Sequence, residues 1–268
     1  SPEELEDSFL KNCGPYAASR KEATAYTLKG ETEPDGFVHL TTFMLDSDAV
    51  RKKAHEYNAT VTEFLTAAMM QAILRLQAEQ VPFRRLRRPV KVLVPVNLRS
   101  LFPSRTMRNF ALYVTPERDP KLGEYSFAEI CNNVHHRMGM EVTAKQMSTK
   151  IATNVNSEKS PILKVMPLVV KNAAMKAVFD AVGECKSCLC MSNLGLVKLP
   201  EIMQQYVTRM DFIIGVPSKT AYNCALLSYG GTIYLNLVRS ITEPELEMHF
   251  YKVLRELGVH VKVESNER

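Results

Sequence analysis

The sequence predicts one α/β domain, a mixed β-sheet flanked by helices, and three observations lead there. Helical and strand-like stretches alternate along the chain, but irregularly and with hairpins, which fits a mixed sheet better than a strict β-α-β succession. Two capping boxes, Thr60-Val-Thr-Glu63 and Ser126-Phe-Ala-Glu129, each open an apolar run at helical spacing. Gly230-Gly231, set between two apolar runs, is a two-residue hairpin turn.

Taken in order, residues 1–36 are polar and irregular, punctuated by Gly14-Pro15 and Glu33-Pro-Asp-Gly36. Residues 37–268 form the folded lobe. Phe37 to Leu45 reads as a strand, and Asp46 or Ser47 caps a short helix through Tyr57. The first capping box opens a helix from Phe64 to Gln80 that is apolar nearly all the way round, as a central buried helix would be. Pro89 to Val96 is a buried strand, Asn97 to Arg108 a polar loop, and Phe110 to Thr115 the next strand. After the second box, Phe127, Ile130, Val134, Met138 and Val142 recur at helical spacing. A helical tract follows from Ile162 to Val182, with Pro167 as a kink.

The last third is mostly strands. Ser187 to Asn193 leads into a turn at Asn193-Leu-Gly195, and Met210 to Val216, Asn223 to Tyr229 and Thr232 to Val238 follow. Thr242-Glu-Pro-Glu245 caps a final amphipathic helix to Leu257, with Glu247, Lys252 and Arg255 toward water, and Val259 to Val263 closes the fold.

Composition narrows the classes. A chain of 268 residues should bury roughly 75% of its unfolded surface and needs no metal or disulfide staples. With 46% hydrophobic and 24% charged residues it is not disordered. No uncharged apolar run approaches the ~18 residues of a membrane span. Ser1-Pro-Glu-Glu4 has no apolar core, so it is no signal peptide, and the lack of Met suggests a processed or excised chain. The net charge of +5 is concentrated only in Arg84-Arg85-Leu86-Arg87-Arg88, backed by Lys91. A solvated turn is the leading reading of that run, a phosphorylated small ligand the second. Nucleic acid is not expected, because no aromatic residues interleave the arginines.

Six cysteines include the cluster Cys185-Lys-Ser-Cys188-Leu-Cys190. No second pair accompanies it, so no metal site is expected. The alternation suggests buried strand thiols packed on one face, and reduced cysteines without an export signal favour the cytoplasm.

His135-His136 is the one tempting constellation. It resembles the His-His-x-x-x-Asp of acyltransferases, in which one imidazole is the general base. Here, however, the acid is Glu141, one residue too far, and both histidines lie within an amphipathic helix. Consecutive helical positions point about 100° apart, so the two cannot share one site well. His39, His55, His249 and His260 are isolated. No nucleophile elbow, phosphate loop or zinc-protease motif is present.

Three segments carry a resemblance. They are Val94-Pro-Val-Asn-Leu-Arg99 running on to Asn109-Phe110, Ser192-Asn193-Leu-Gly195 with Leu199-Pro200, and Met210-Asp211-Phe-Ile-Ile-Gly215 followed by Asn223 to Gly231. In order and spacing they resemble the C-terminal half of the chloramphenicol-acetyltransferase-like superfamily. That group includes peptide-synthetase condensation domains and bacterial alcohol acetyltransferases, the latter more closely similar. The resemblance covers residues 36 to 260 or so.

It implies one lobe of a CoA-dependent acyltransferase fold, with residues 1–36 as the former inter-lobe connection. In such enzymes an acyl thioester meets a hydroxyl or amine in a tunnel between two lobes, and the histidine motif belongs to the N-terminal lobe. The resemblance therefore places no catalytic residue in this chain, and the isolated chain is expected to transfer no acyl groups. Arg99, Asn109, Ser192 and Asn193 become candidates for contacting donor or acceptor. Arg99 and Asn109 bracket a loop at a strand end, and Ser192 and Asn193 can offer hydrogen bonds to a thioester carbonyl or pantetheine amide. Alternatively Asn193 is a turn former and Asn109 bonds neighbouring backbone. Asp211 and Gly215 stand where plant relatives carry Asp-Phe-Gly-Trp-Gly and are expected to be structural. Acetyl-CoA is the expected co-substrate, with no covalent cofactor. The expected partners are the N-terminal lobe of the same polypeptide and, through the exposed lobe face, a second copy. The rival reading is a non-catalytic binding module that keeps the half-fold.

Overall fold

An eight-stranded mixed sheet organises the computed structural model, which describes residues 1–17, 23–159, 167–178, 186–217 and 220–267. The strands are β1 (His39–Asp46), β2 (Val90–Asn97), β3 (Ala111–Val114), β4 (Glu117–Arg118), β5 (Leu189–Leu196), β6 (Tyr222–Tyr229), β7 (Thr232–Arg239) and β8 (Val261–Ser265). They lie in the order β3-β2-β5-β6-β7-β1-β8, with β4 beside the start of β2. Only the β2–β5 and β5–β6 pairings are parallel. The β6–β7 hairpin turns at Gly230 and Gly231, whose φ angles of 57° and 81° lie in the left-handed region that a tight hairpin requires at both positions.

Alternation along the strands sorts side chains onto two faces. On one face Phe43, Leu45, Val92, Val94, Leu189, Met191, Cys224, Leu226, Leu235 and Leu237 are buried beneath helices. The central helix is the expected one. α3 (Val61–Gln80) follows a short α1 (Ser8–Lys11) and α2 (Ser47–Glu56). It begins at the Thr60/Glu63 capping box, and Ala67, Ala68, Met69, Met70, Ala72 and Ile73 have no exposed surface. α4 (Phe127–Glu141) and a C-terminal helix (Glu245–Glu256) flank it. Tyr57, Phe64 and Phe127 meet in an aromatic cluster at its N-terminal end.

Several expectations need correction. α5 (Ala144–Glu158) was not anticipated; its Met147, Ile151 and Val155 recur every four residues and build a second core with Val96, Leu98, Phe110 and Val114. Of the predicted tract 162–182, residues 162–166 and 179–182 lie outside the described residues. α6 (Leu168–Val178) begins directly after Pro167, whose carbonyl accepts from Lys171 N–H. Asn193-Leu-Gly195 is not a turn but a bulge within β5, where the pairing with β6 slips between Asn193 and Leu196. Residues 210–216 form no strand; the side chains of Asn236 and Asn223 hold them to the sheet in place of a ladder. α7 is one turn, Glu201–Gln204. The last helix, α8 (Glu245–Glu256), is entered from Pro244 with no side-chain cap, so Thr242 does not serve as one. Its Glu247 is buried against Arg239, whereas Lys252 and Arg255 face water as expected.

The Arg84–Arg88 run is a solvated turn. Within it Arg87 closes the C-terminus of α3, its Nε donating to Val81 O at 2.8 Å. Lys91 does not extend the basic surface: its ammonium is buried, donates to Ala23 O and pairs with Glu117 at 2.9 Å. In the segment 1–36, Ala25, Tyr26 and Leu28 are buried in the main core.

Cys188 is buried in the main core, and Cys190, on the face of β5 opposite Leu189 and Met191, is half-buried. Cys185 falls outside the described residues. Burial pushes the thiols of Cys131 and Cys190 up to about 11 and that of Cys188 up to about 12, and it also raises Cys224. Thiolate is the reactive form. At neutral pH an aromatic disulfide reagent is therefore expected to modify the buried Cys131, Cys188 and Cys224 only as the protein unfolds, the half-buried Cys190 slowly, and the partly exposed Cys13 directly. Peptide mapping after a timed pulse of reagent checks this.

Candidate functional site

Among the described strands, the sheet opens between β2 and β5. β2 and β5 pair only at Val92↔Leu189 and Leu93↔Cys190. Beyond that point β2 continues with β3 and β5 with β6, leaving a gap between their C-terminal halves. The cause is covalent. Lys91 O accepts from Cys188 N–H, so the backbone of Lys91 faces β5, whereas Val92 N–H donates the other way, to Pro116 O. Alternation puts Leu93 and then Pro95 on the β5 side. Proline has no N–H, so the next rung of the ladder cannot form. In α/β sheets, ligands gather at the C-terminal ends of parallel strands where neighbours diverge.

Ser192 and Asn193 line the β5 side of this gap. Asn193 faces the helices: its Nδ2 donates to Thr62 Oγ1 at 2.8 Å, and its Oδ1 accepts from Gly195 N–H at 2.8 Å. The second bond shapes the bulge, which Gly195 completes at φ 85°. Both ends of the amide are thus engaged in structure. Ser192, one residue earlier, points to the opposite face, half-buried and with no hydrogen bond from its hydroxyl among the described residues. The two residues cannot hold one carbonyl from the same side.

Arg99 and Asn109 sit on the loop after β2. The guanidinium of Arg99 donates to Thr106 O at 2.8 Å and Arg108 O at 2.9 Å, pinning the loop to its own start. The N-terminal segment then lies across that loop. Met107 N–H donates to Glu4 O, Thr106 Oγ1 to Glu6 O, and Phe9 packs edge-on against Phe110. Between segment and loop lies a polar cleft of about 660 Å³ lined by Glu3, Glu6, Lys11, Arg99 and Arg105. Asn109 is exposed, and its side chain makes no hydrogen bond among the described residues.

Asp211 and Gly215 lie on the sheet face away from the helices. Asp211 takes a forked pair from Arg209, the shorter contact 2.6 Å, and accepts from the buried Asn236. Arg209 also pairs with Glu264, and these carboxylates hold the guanidinium more firmly charged than usual. Gly215 O accepts from Asn223 Nδ2 at 2.6 Å, while Asn223 Oδ1 takes Cys190 N–H. Two strand asparagines thus fasten the segment 211–215.

His135 and His136 lie mid-helix on α4, as expected, and His135 Nδ1 meets the buried Glu63 at 3.1 Å. No group of three metal-ligating side chains occurs among the described residues, and no described helix is long and apolar enough to cross a membrane. The sequence reading missed Pro95 as the wedge, Thr62 as the partner of Asn193, and the asparagine pins. Only the first left a signal, a proline inside an apolar strand.

No protein-family profile and no curated protein sequence matches this chain. Solved structures do. Trichothecene 15-O-acetyltransferase from Fusarium sporotrichioides is similar at TM-score 0.55 and 13% identity, over 96% of this chain and 53% of that one. Wax ester synthase/diacylglycerol acyltransferase from Marinobacter aquaeolei VT8 is similar at TM-score 0.51 and 15% identity, over 94% and 56%. The epimerization domain from the third module of tyrocidine synthetase B gives 0.52 and 11%, over 96% and 56%. At these identities the likeness is one of fold, and the fold is the condensation-domain and chloramphenicol-acetyltransferase-like one. The chain spans about half the length of these three structures.

Proposed function

We propose that this chain is the C-terminal lobe of a cytoplasmic acyl-CoA-dependent O-acyltransferase. The observation that carries the reading is the extent of the fold likeness: nearly the whole chain superposes on about half of two acyltransferases. In this reading a preceding lobe supplies the histidine base, and the present lobe supplies one wall of the tunnel. The gap between β2 and β5 is the entry for the donor arm. Ser192, with hydrogen-bonding capacity unspent, contacts the donor. Asn193 and Arg99 shape the surface from beneath. Leu194 and Leu196, exposed on the far part of β5, are surface that a second lobe or a second copy would cover.

Acetyl-CoA titrated into the purified chain, followed by thermal melting, is the test. Ligand linkage at 100 times Kd is worth about 2.7 kcal/mol. A rise in Tm that Ser192→Ala diminishes, without altering the unliganded Tm, is the expected result. No rise at saturation would overturn the donor-site reading and favour a non-catalytic binding module. Acyl transfer by the chain alone, lost on Ser192→Ala, would overturn the assignment of the base to another lobe.

A further inference from the structure

The two edges of the sheet are finished differently. At the β3 edge, Lys150 Nζ from α5 donates to Tyr113 O, so a side chain caps the ladder. The β8 edge carries no such cap among the described residues. Asn266 N–H donates to Leu40 O, which fixes the phase of the β1–β8 pairing. Lys262, Glu264 and Asn266 therefore turn their backbone groups toward β1, and Val261, Val263 and Ser265 turn theirs outward.

The side chains of this edge are self-complementary. A two-fold axis through Val263, normal to the sheet, sets a second β8 antiparallel to the first. Val263 then faces Val263 of the second copy, Val261 faces its Ser265, and Lys262 faces its Glu264. Each outward-facing backbone pair meets another outward-facing pair, and each lysine meets a glutamate, a favourable cross-strand pairing. The opposite face matches too. Val263, Met248 and Tyr251 are exposed apolar side chains on the helix side of the edge. With Phe43, Val261 and Glu247 they border a groove of about 410 Å³ between α8 and the edge strand. Because the axis is normal to the sheet, the two α8 helices lie side by side and cover the paired valines.

We propose that β8 is a homodimer interface that joins two copies of this chain into one continuous sheet. The contact is isologous, so it closes at two subunits. The occupant is a second copy, not an unrelated strand, because the Lys262/Glu264 alternation is complementary to itself in the register that also pairs the outward backbone groups. The proposal rests on the fold and not on the acyltransferase reading.

Sedimentation of the full chain is the test, and the expected mass is twice that of the monomer. Val263→Pro removes an outward N–H and leaves the bonds to β1 untouched, so it should halve the mass with an unchanged circular dichroism spectrum. Should that variant fail to fold, Lys262→Glu serves: it sets like charges across the interface, and mixing it with Glu264→Lys should restore the dimer. Three results would overturn the proposal. The parent chain could remain monomeric up to its solubility limit. The mass could stay doubled in Val263→Pro. Or the doubling could vanish only on Leu194→Ser with Leu196→Ser, which would place the interface at the gap. None of these bears on the acetyl-CoA shift, so the two readings fail separately.

Discussion

Arg239→Ala is expected to destabilise the fold by about 3–5 kcal/mol, the cost of leaving one member of a buried ion pair alone. Arg239 ends β7 with no exposed surface. Its guanidinium donates to Ile241 O and Thr242 O and pairs with Glu247 at 2.8 Å and with Glu267. Tyr222 Oη donates to the second oxygen of Glu247 at 3.1 Å. Burial pushes the Glu247 carboxyl up, and the charge of Arg239 opposes that push. Without the arginine, the carboxylate stays desolvated and loses its counter-charge. The sign of the pH dependence follows. A folded-state pKa above the unfolded one favours the folded form when the acid is protonated. The penalty in the variant should therefore shrink as pH falls from 7 toward the ordinary glutamate range and grow again as it rises. Urea denaturation of both proteins at several pH values measures this. A pH-independent difference below about 1 kcal/mol would show that the pair is replaceable. Substituting Arg239 and Glu247 together by apolar residues should recover most of the loss.

Arg99→Ala is the second large effect, about 1.5–3 kcal/mol for charge-assisted hydrogen bonds to two loop carbonyls. Arg99→Lys should recover part of the loss, because both bonds leave one nitrogen, Nη2, and an ammonium also carries donors enough for Thr106 O and Arg108 O. Faster amide exchange at Met107, whose N–H bonds Glu4 O, would report the loosened loop. The combination decides the role of Arg99. Lost stability marks a brace. A full Tm with a lost acetyl-CoA shift marks a ligand contact.

The sequence disclosed whatever local chemistry fixes. Both capping boxes, the Gly230-Gly231 hairpin and the all-round apolar α3 are decided within a few residues of themselves. Glu247 misled because its helix looks amphipathic from Leu246, Phe250 and Val253, and the residue that makes its burial tolerable, Arg239, belongs to another element. Residues 210–216 misled for a similar reason. Their apolar character suits a strand, but a strand needs a neighbour, and the groups that hold this segment are Asn236 and Asn223 on β7 and β6. α5 was quiet because its buried stripe is short, Met147, Ile151, Ala152 and Val155. At the candidate site, Arg99 and Asn193 stand out in sequence as polar residues beside strand ends. Their hydrogen bonds to loop carbonyls, Thr62 and Gly195 exist only once the chain is folded.

Pro95 has one more consequence. Because a missing donor opens the gap between β2 and β5, the opening exists before anything enters it. A chain entering there would have no β2–β5 backbone ladder to break, and that part of the cost of binding would be absent. The interruption itself depends on a single backbone position, so the side chains beside it, Ser192 among them, could vary without restoring the ladder.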